Sequence, residues 1–398
     1  MPPRADRVAP GRSARAAGPA ALPDAIRRGA RRPPARRRIH HVKLFSPVAL
    51  GALELPNRVA MAPLTRMRSD EHGVPGDIVV EYYRQRASTG LIVSEGVFTS
   101  ERSKAYPGQP GIVTDEQIAG WRRVTDAVHE AGGRIVMQLM HGGRVSHEEI
   151  TGGLPLLAPS AIAIQGEVHT PTGKAPYPVP SEPETDEVPL IVDELTVAAR
   201  NAVDAGFDGV EIHSANGYLL HEFLSPVSNV RTDAYGGSPE NRAKLGIDVA
   251  HAVSREIGAE RVGIRISPSH NIQDVLEEDA DETRATYEAL LSGIAPLGLA
   301  YVSILHAEPA GDLVQGLRKT FGGPLMINSG FGVQTERDEA IQLVEEGTAD
   351  VVAVGRMVIA NPDLVERWEQ GLETNEPNPA TFYGPGAEGY TDYPALVS

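Results

Sequence analysis

The chain contains no cysteine, which excludes disulfides, thiolate-held zinc, iron–sulfur clusters and a cysteine nucleophile together. A reducing, cytoplasmic setting is expected. Lysine is almost as scarce. Lys43, Lys104, Lys174, Lys244 and Lys319 are the only five, and none ends an apolar run where a Schiff-base lysine of a barrel aldolase would stand. No apolar run reaches the roughly 18 residues that a spanning helix requires, so no membrane partner is expected. Close His-x-His or His-x-x-x-His pairs are absent among His141, His213 and His306, which leaves no metal site in view.

The charge is unevenly placed along the 398 residues. Residues 1–41 hold eleven arginines against Asp6 and Asp24, a local balance of +9, which leaves −25 of the overall −16 on the rest of the chain. A body that acidic repels phosphate backbones, so no nucleic-acid partner is expected for it. The first 41 residues are rich in Arg, Pro, Ala and Gly without apolar periodicity, and read as a disordered basic arm. A transit peptide and a nucleic-acid tail are the alternatives for that arm. The working domain is expected to span residues 42–398 as a monomer or small homo-oligomer.

From Lys43 onward, short apolar runs alternate with amphipathic stretches, the pattern of repeated βα units around a parallel sheet. Eight runs, at 59–63, 90–95, 134–140, 209–213, 262–267, 299–305, 324–328 and 350–354, predict a single α/β (β/α)8 barrel. Helices are predicted over 77–88, 114–130, 191–205, 239–257, 281–297, 313–320, 335–346 and 362–370. Thr114 and Thr335 each precede a polar acceptor by three residues and are read as N-caps, Thr114 with Gln117 as a strict capping box. The Pro-, Gly- and Ser-rich residues 142–187, inserted after the third strand, are too long for a connector and predict a cap over the catalytic face.

Active sites of such barrels form at the C-terminal strand ends. There the chain offers Pro63-Leu64-Thr65, Glu95-Gly96, Gln138, Met140, His141, His213, Arg265, His306, Asn328-Ser-Gly330-Phe331 and Gly355-Arg356. His213, Asn216 and Tyr218 set two side-chain donors three residues apart and then a phenol, an arrangement for gripping one carbonyl oxygen beside a proton source. Gly330, Gly355 and Arg356 read either as a phosphate cradle or as simple turn chemistry. Arg265 lies in an otherwise apolar strand and needs a partner, either a ligand or a salt bridge to Glu95 or Glu211.

Ordered motifs along the whole body resemble the Old Yellow Enzyme family of FMN-dependent ene-reductases, in its N-ethylmaleimide and nitrate-ester reductase branch. They include Ala62-Pro-Leu-Thr-Arg66, Glu81-Tyr-Tyr-Arg-Gln-Arg-Ala87, Gln138-Leu-Met-His141, His213-Ser-Ala-Asn-Gly-Tyr-Leu-Leu-His221, Gly263-Ile-Arg-Ile-Ser-Pro268 and Tyr383-Gly-Pro-Gly-Ala-Glu-Gly-Tyr390. The resemblance implies tight, non-covalent FMN, NADPH or NADH as reductant, and small electrophilic alkenes, quinones or nitro compounds as acceptors. It implies that Thr65 bonds flavin O4, Gln138 the pyrimidine edge, and Arg265 the N1–O2 side where reduction leaves negative charge. It assigns backbone packing to Pro63, Leu64 and Gly96, and phosphate contacts to Gly330, Phe331, Gly355 and Arg356. His213 and Asn216 would polarise the acceptor, hydride would arrive from flavin N5, and Tyr218 would protonate the opposite face. Tyr106, Met140 and Tyr383 would line the substrate pocket. Met140 stands where the family usually has Trp, Asn216 where the nearest bacterial branch has His, and Asn328-Ser-Gly330 replaces a paired glycine.

Overall fold

The computed structural model describes residues 42–396, so the basic arm lies outside the described residues. A short antiparallel hairpin comes first, β1 (Val48–Leu50) paired with β2 (Leu53–Leu55). Three barrel strands follow, β3 (Val59–Met61), β4 (Leu91–Phe98) and β5 (Ile135–Met140), and then a second hairpin, β6 (Glu167–Thr170) with β7 (Gly173–Pro176). The remaining strands are β8 (Gly209–Ser214), β9 (Val262–Ile266), β10 (Tyr301–Leu305), β11 (Leu325–Asn328) and β12 (Val351–Val354). Strands β3, β4, β5, β8, β9, β10, β11 and β12 pair in parallel, in chain order, and close into an eight-stranded barrel. These strands are buried on both faces, which is why they read as continuous apolar runs rather than alternating ones.

Among the described residues ten α-helices connect or flank these strands: α1 (Asp77–Gln85), α2 (Asp115–Glu130), α3 (Val188–Asp204), α4 (Leu219–Leu224), α5 (Pro239–Ile257), α6 (Ala280–Ile294), α7 (Asp312–Phe321), α8 (Arg337–Glu345), α9 (Arg356–Ala360) and α10 (Leu364–Gln370). Thr114 and Gln117 form the expected capping box at α2. The cap expected at Thr335 is corrected: Glu336 is still extended at φ −94°, ψ 161°, α8 starts at Arg337, and no side chain caps it. Thr335 is instead buried in the loop from β11.

The barrel interior is filled by Ala60, Leu91, Val93, Val136, Tyr301, Met326 and Val351, and the first hairpin adds Leu50, Leu53 and Leu55 to that cluster. Ala52 N–H donates to Glu260 C=O just before β9, so the hairpin plugs the N-terminal end of the barrel. With that end closed, the opposite end is the one open to ligands. Residues 142–187 carry the second hairpin, and Ile164 and Tyr177 from this segment pack with Tyr106, Met140 and Tyr218 at the C-terminal end.

Candidate active site

Strand register sorts the polar interior into two levels. At the lower level Gly96, Gln138, Glu211, Gly263 and Tyr301 are successive Cα partners across β4, β5, β8, β9 and β10. Glu211 accepts from Gln138 Nε2 at 2.8 Å and from the Tyr301 hydroxyl at 3.1 Å. The Tyr301 ring occupies the space that Gly263 leaves, since a Cβ there would lie 2.3 Å from it. Burial pushes the Glu211 carboxyl up, against the pull of Arg265, Gln138 and Tyr301.

One pleat further along, His213, Arg265 and Ser303 are partners on β8, β9 and β10. The Arg265 guanidinium donates to Ser303 Oγ at 3.1 Å and reaches Asn328 Oδ1 at 3.5 Å. It forms no ion pair with Glu95 or Glu211, and its Nε is buried with no partner. Glu95 is committed elsewhere: its Oε2 accepts the Arg66 and Met67 N–H groups at 3.0 and 3.3 Å, which fixes the loop that carries Thr65. Burial pushes its carboxyl up to about 7 against those bonds.

The loop after β8 turns sharply, with Asn216 at φ +58° and Gly217 at φ +82°. Asn216 N–H donates to Ser267 Oγ at 2.9 Å, and its Oδ1 is buried without a partner. His213 is 4 % exposed, and its Nδ1 is likewise unpartnered. Burial, then Arg265 and His221, hold its imidazole well below the usual histidine range, so the ring is neutral and has one N–H to give. Tyr218 packs its ring against His213 at 5.2 Å, and its hydroxyl meets that of Tyr106 at 2.7 Å. Burial pushes the Tyr218 phenol up to about 12, tempered by the Tyr106 bond.

Unsatisfied polar atoms concentrate here. Among the described residues, seven of fourteen buried polar side-chain atoms without a partner belong to His213, Ser214, Asn216, Arg265, His270, Gln273 and Ser329, at the ends of β8, β9 and β11. Each such group costs about 1–3 kcal/mol if left unmade. That polar surplus at one barrel mouth is intelligible as ligand-binding capacity.

The turns after β11 and β12 meet, because Arg356 Nη2 donates to Phe331 C=O at 2.9 Å. Gly330 sits at φ +115°, and a Cβ on Gly332 would contact nothing. The Phe331 ring is half-exposed and stacks on His270 at 5.3 Å. Pro63, Leu64 and Thr65 are half-buried beside β3. On the far wall, Met140 is buried with its Sδ 2.5 Å from where a Gly96 Cβ would fall, so the thioether fills the space that Gly96 leaves. Tyr383 is 63 % exposed at the rim and acts electrostatically on both the Tyr106 and Tyr218 phenols.

Residues 43–375 match the NADH:flavin oxidoreductase / NADH oxidase family. The 12-oxophytodienoate reductase 7 of Oryza sativa subsp. japonica is 38 % identical over 390 residues, spanning 92 % of this chain and 98 % of the rice protein. An old yellow enzyme homologue from Zymomonas mobilis superposes with TM-score 0.84 at 38 % identity, over 89 % of this chain and all of its own. Morphinone reductase in complex with tetrahydroNAD does so with TM-score 0.83 at 44 % identity, over 89 % and 98 %. This chain belongs to the NADH:flavin oxidoreductase family.

As a flavin oxidoreductase of the Old Yellow Enzyme type, it has supporting residues that the motifs alone left unassigned. Arg66 donates to Phe382 and Gly389 C=O, and Arg68 to the carbonyls of Thr381, Phe382, Gly386 and Glu388, so two buried guanidiniums tie the C-terminal segment holding Tyr383 to the β3 loop. Arg66 was visible within Ala62-Pro-Leu-Thr-Arg66, but the two carbonyls that it clamps lie more than 300 residues away. Tyr177, Ile164 and Gln273 reach the mouth from loops that carry no periodic signal. No group of three or more His, Asp or Glu among the described residues could hold a metal ion.

Proposed function

We propose that this flavin oxidoreductase reduces the activated C=C bond of small enones and maleimides with NADPH or NADH, His213 and Asn216 gripping the carbonyl oxygen and Tyr218 supplying the proton. Nitro compounds and quinones present the same oxygen acceptors to the same pair. The observation that carries the reading is the polar triad itself: a neutral His213 at the end of β8, with Asn216 and a protonated Tyr218 on the loop that follows, and buried unpartnered atoms on His213 and Asn216.

The residues fit FMN on their own terms. Arg265 keeps an unpartnered buried Nε beside Ser303, Gln138 is held by Glu211 in the strand level below, and Gly330 and Gly332 leave open backbone beside Arg356. In this reading Thr65, Gln138 and Arg265 hold the ring, Pro63, Leu64 and Gly96 pack it, and Gly330, Phe331, Gly355 and Arg356 hold the phosphate. Bound there, FMN would supply the hydride chemistry that links the nicotinamide to the acceptor's β carbon.

The protein's own task is to make that carbon electrophilic and to complete the addition. Two N–H donors aimed at the carbonyl oxygen stabilise the enolate charge that develops there, in a site where water is excluded and each donor counts for more. Tyr218 then gives its O–H proton to the α carbon, a far stronger base than the phenolate left behind. With Tyr106 donating to the Tyr218 oxygen, that phenolate is stabilised and the Tyr218 proton stays directed to the pocket. Net addition is one hydride and one proton across C=C, with NAD(P)H oxidised to NAD(P)⁺.

The test separates the two half-reactions. Anaerobic holoenzyme is reduced with NADPH and then mixed with cyclohexenone or N-ethylmaleimide. In Tyr218→Phe, reoxidation by cyclohexenone should slow by about 10²-fold or more while reduction by NADPH is spared. Equal loss in both halves contradicts the proton-donor role, and no reoxidation of wild-type enzyme by any alkene sinks the ene-reductase reading. A cytoplasmic location and a monomeric or small homo-oligomeric state complete the proposal.

A further inference from the structure

The loop that carries Asn216 and Tyr218 turns through two left-handed residues, Asn216 at φ +58° and Gly217 at φ +82°, the residue types that enter this region most readily. What fixes the direction of the turn is the set of side chains around it. Three side chains outside the catalytic triad bond its backbone consecutively: Ser267 Oγ takes Asn216 N–H at 2.9 Å, Gln273 Nε2 gives to Asn216 C=O at 3.1 Å, and His221 Nδ1 takes Gly217 N–H at 2.9 Å. The loop after β9 presses on the same turn, since a Cβ on Gly217 would lie 2.9 Å from Gln273 Cβ and from Ile272 C=O.

The third bond is the informative one, because it fixes a tautomer. A backbone N–H can only donate, so His221 Nδ1 is the acceptor and the ring proton sits on Nε2. There it faces Glu277 Oε1 at 3.2 Å. Glu277 is itself fastened, with Ser269 N–H on Oε2 at 2.7 Å and the Tyr287 hydroxyl on Oε1 at 2.9 Å. His221 is fully buried on α4, one turn beyond Tyr218, and Glu277 lies in the segment between β9 and α6. A chain of hydrogen bonds therefore runs from α6 through Glu277 and His221 to the peptide that joins Asn216 to Tyr218.

We propose that His221, oriented by Glu277, is a positioning residue for the acceptor site: it sets the Gly217 peptide, and so the relative placement of the Asn216 amide and the Tyr218 hydroxyl. The inference rests on the reading of those two groups as carbonyl grip and proton donor. Misplacement by about 1 Å can cost on the order of 10²-fold in rate, so a lost peptide anchor is kinetically visible.

Two substitutions divide the two ends of the ring. In His221→Asn, the amide oxygen stands near the former Nδ1 and still accepts from Gly217, whereas in His221→Gln the amide nitrogen stands near the former Nε2 and serves Glu277 alone. FMN-loaded enzymes reduced with NADPH are reoxidised anaerobically either by cyclohexenone or by ferricyanide, which needs neither a carbonyl grip nor a carbon-bound proton. We expect H221Q to slow cyclohexenone reoxidation about ten- to hundredfold, H221N to stay within about threefold of wild type, and the ferricyanide rates to match. Wild-type enone rates in H221Q overturn the inference, as do equal losses in both variants or a parallel loss with ferricyanide, the marks of a merely structural histidine. If H221Q does not fold, Glu277→Gln carries the test through a slowing confined to the enone, and an unchanged enone rate overturns the inference. Failure of the wild-type enzyme with cyclohexenone would sink the underlying reading instead.

Discussion

At the scale of residues, the site's electrostatics set an unusual pH response. Burial, Arg265 and His221 keep His213 uncharged well below the ordinary histidine pKa, and burial keeps Tyr218 protonated up to about 12. The two signs act together: the base form of His213 survives acidification, and the acid form of Tyr218 survives alkalinisation. Glu95, at about 7, and Glu222, at about 8, titrate between them, but Glu95 accepts from the Arg66 and Met67 N–H groups and the Tyr83 hydroxyl, and Glu222 from Arg144 N–H, donors that a neutral carboxyl oxygen still accepts. Reoxidation by cyclohexenone is therefore expected to vary less than about twofold from pH 6 to 10, a range set by the reference pKa values of His and Tyr. Stopped-flow rates across that range check it, and a bell centred near neutrality would show that one of the two groups titrates in the working range. His213, Asn216 and Tyr218 were legible in the sequence because chemistry-bearing types stood at short spacing beside an apolar run. His221 and Glu277 were not, since their pairing depends on how α4 meets the segment after β9, 56 residues away.

At the scale of elements, legibility followed length and burial. The barrel strands announced themselves as apolar runs, whereas three-residue β1 and β2 and the short helices α4 and α9 carry too few residues to show a period. Thr335 misled because a capping pattern fits several starting points, and tertiary packing draws that residue into the core. The hairpin that went unseen is nonetheless a stability element. Gly51 turns it at φ +56°, and a Cβ there would lie 2.3 Å from Glu260 C=O, a backbone atom without a flexible escape. Gly51→Ala should cost about 2 kcal/mol and lower Tm by on the order of 4 °C. Because the turn lies at the barrel's plugged N-terminal end, both half-reactions should keep wild-type rates. Thermal unfolding of the holoenzyme beside stopped-flow kinetics decides this, and a kinetic defect would show that the plug communicates with the opposite mouth.

At the scale of the whole molecule, charge divides the chain in two, +9 on residues 1–41 and −25 on the rest. Every barrel strand, the plug and both arginine clamps lie between Val48 and Tyr390, and among the described residues seven of the fourteen unpartnered buried polar side-chain atoms gather at one mouth. The barrel, its eight-fold count and its working end were legible because βα alternation is written at the level of composition. The clamp of Arg66 and Arg68 on residues 381–389 was not, because sequence distance hides a contact that barrel closure creates. The described barrel closes with strands contained in residues 59–354, a stretch that begins after the +9 segment ends. A chain beginning at Val42 is expected to bind FMN at unit stoichiometry and to reduce cyclohexenone with an unchanged kcat. Its net charge falls from −16 to −25, so it should elute at higher salt from an anion exchanger. Flavin content, turnover and elution position read the three expectations separately. Loss of flavin in the truncated chain would make the arm part of the folded unit, whereas retained flavin with altered elution alone would leave it an electrostatic appendage to a self-sufficient barrel.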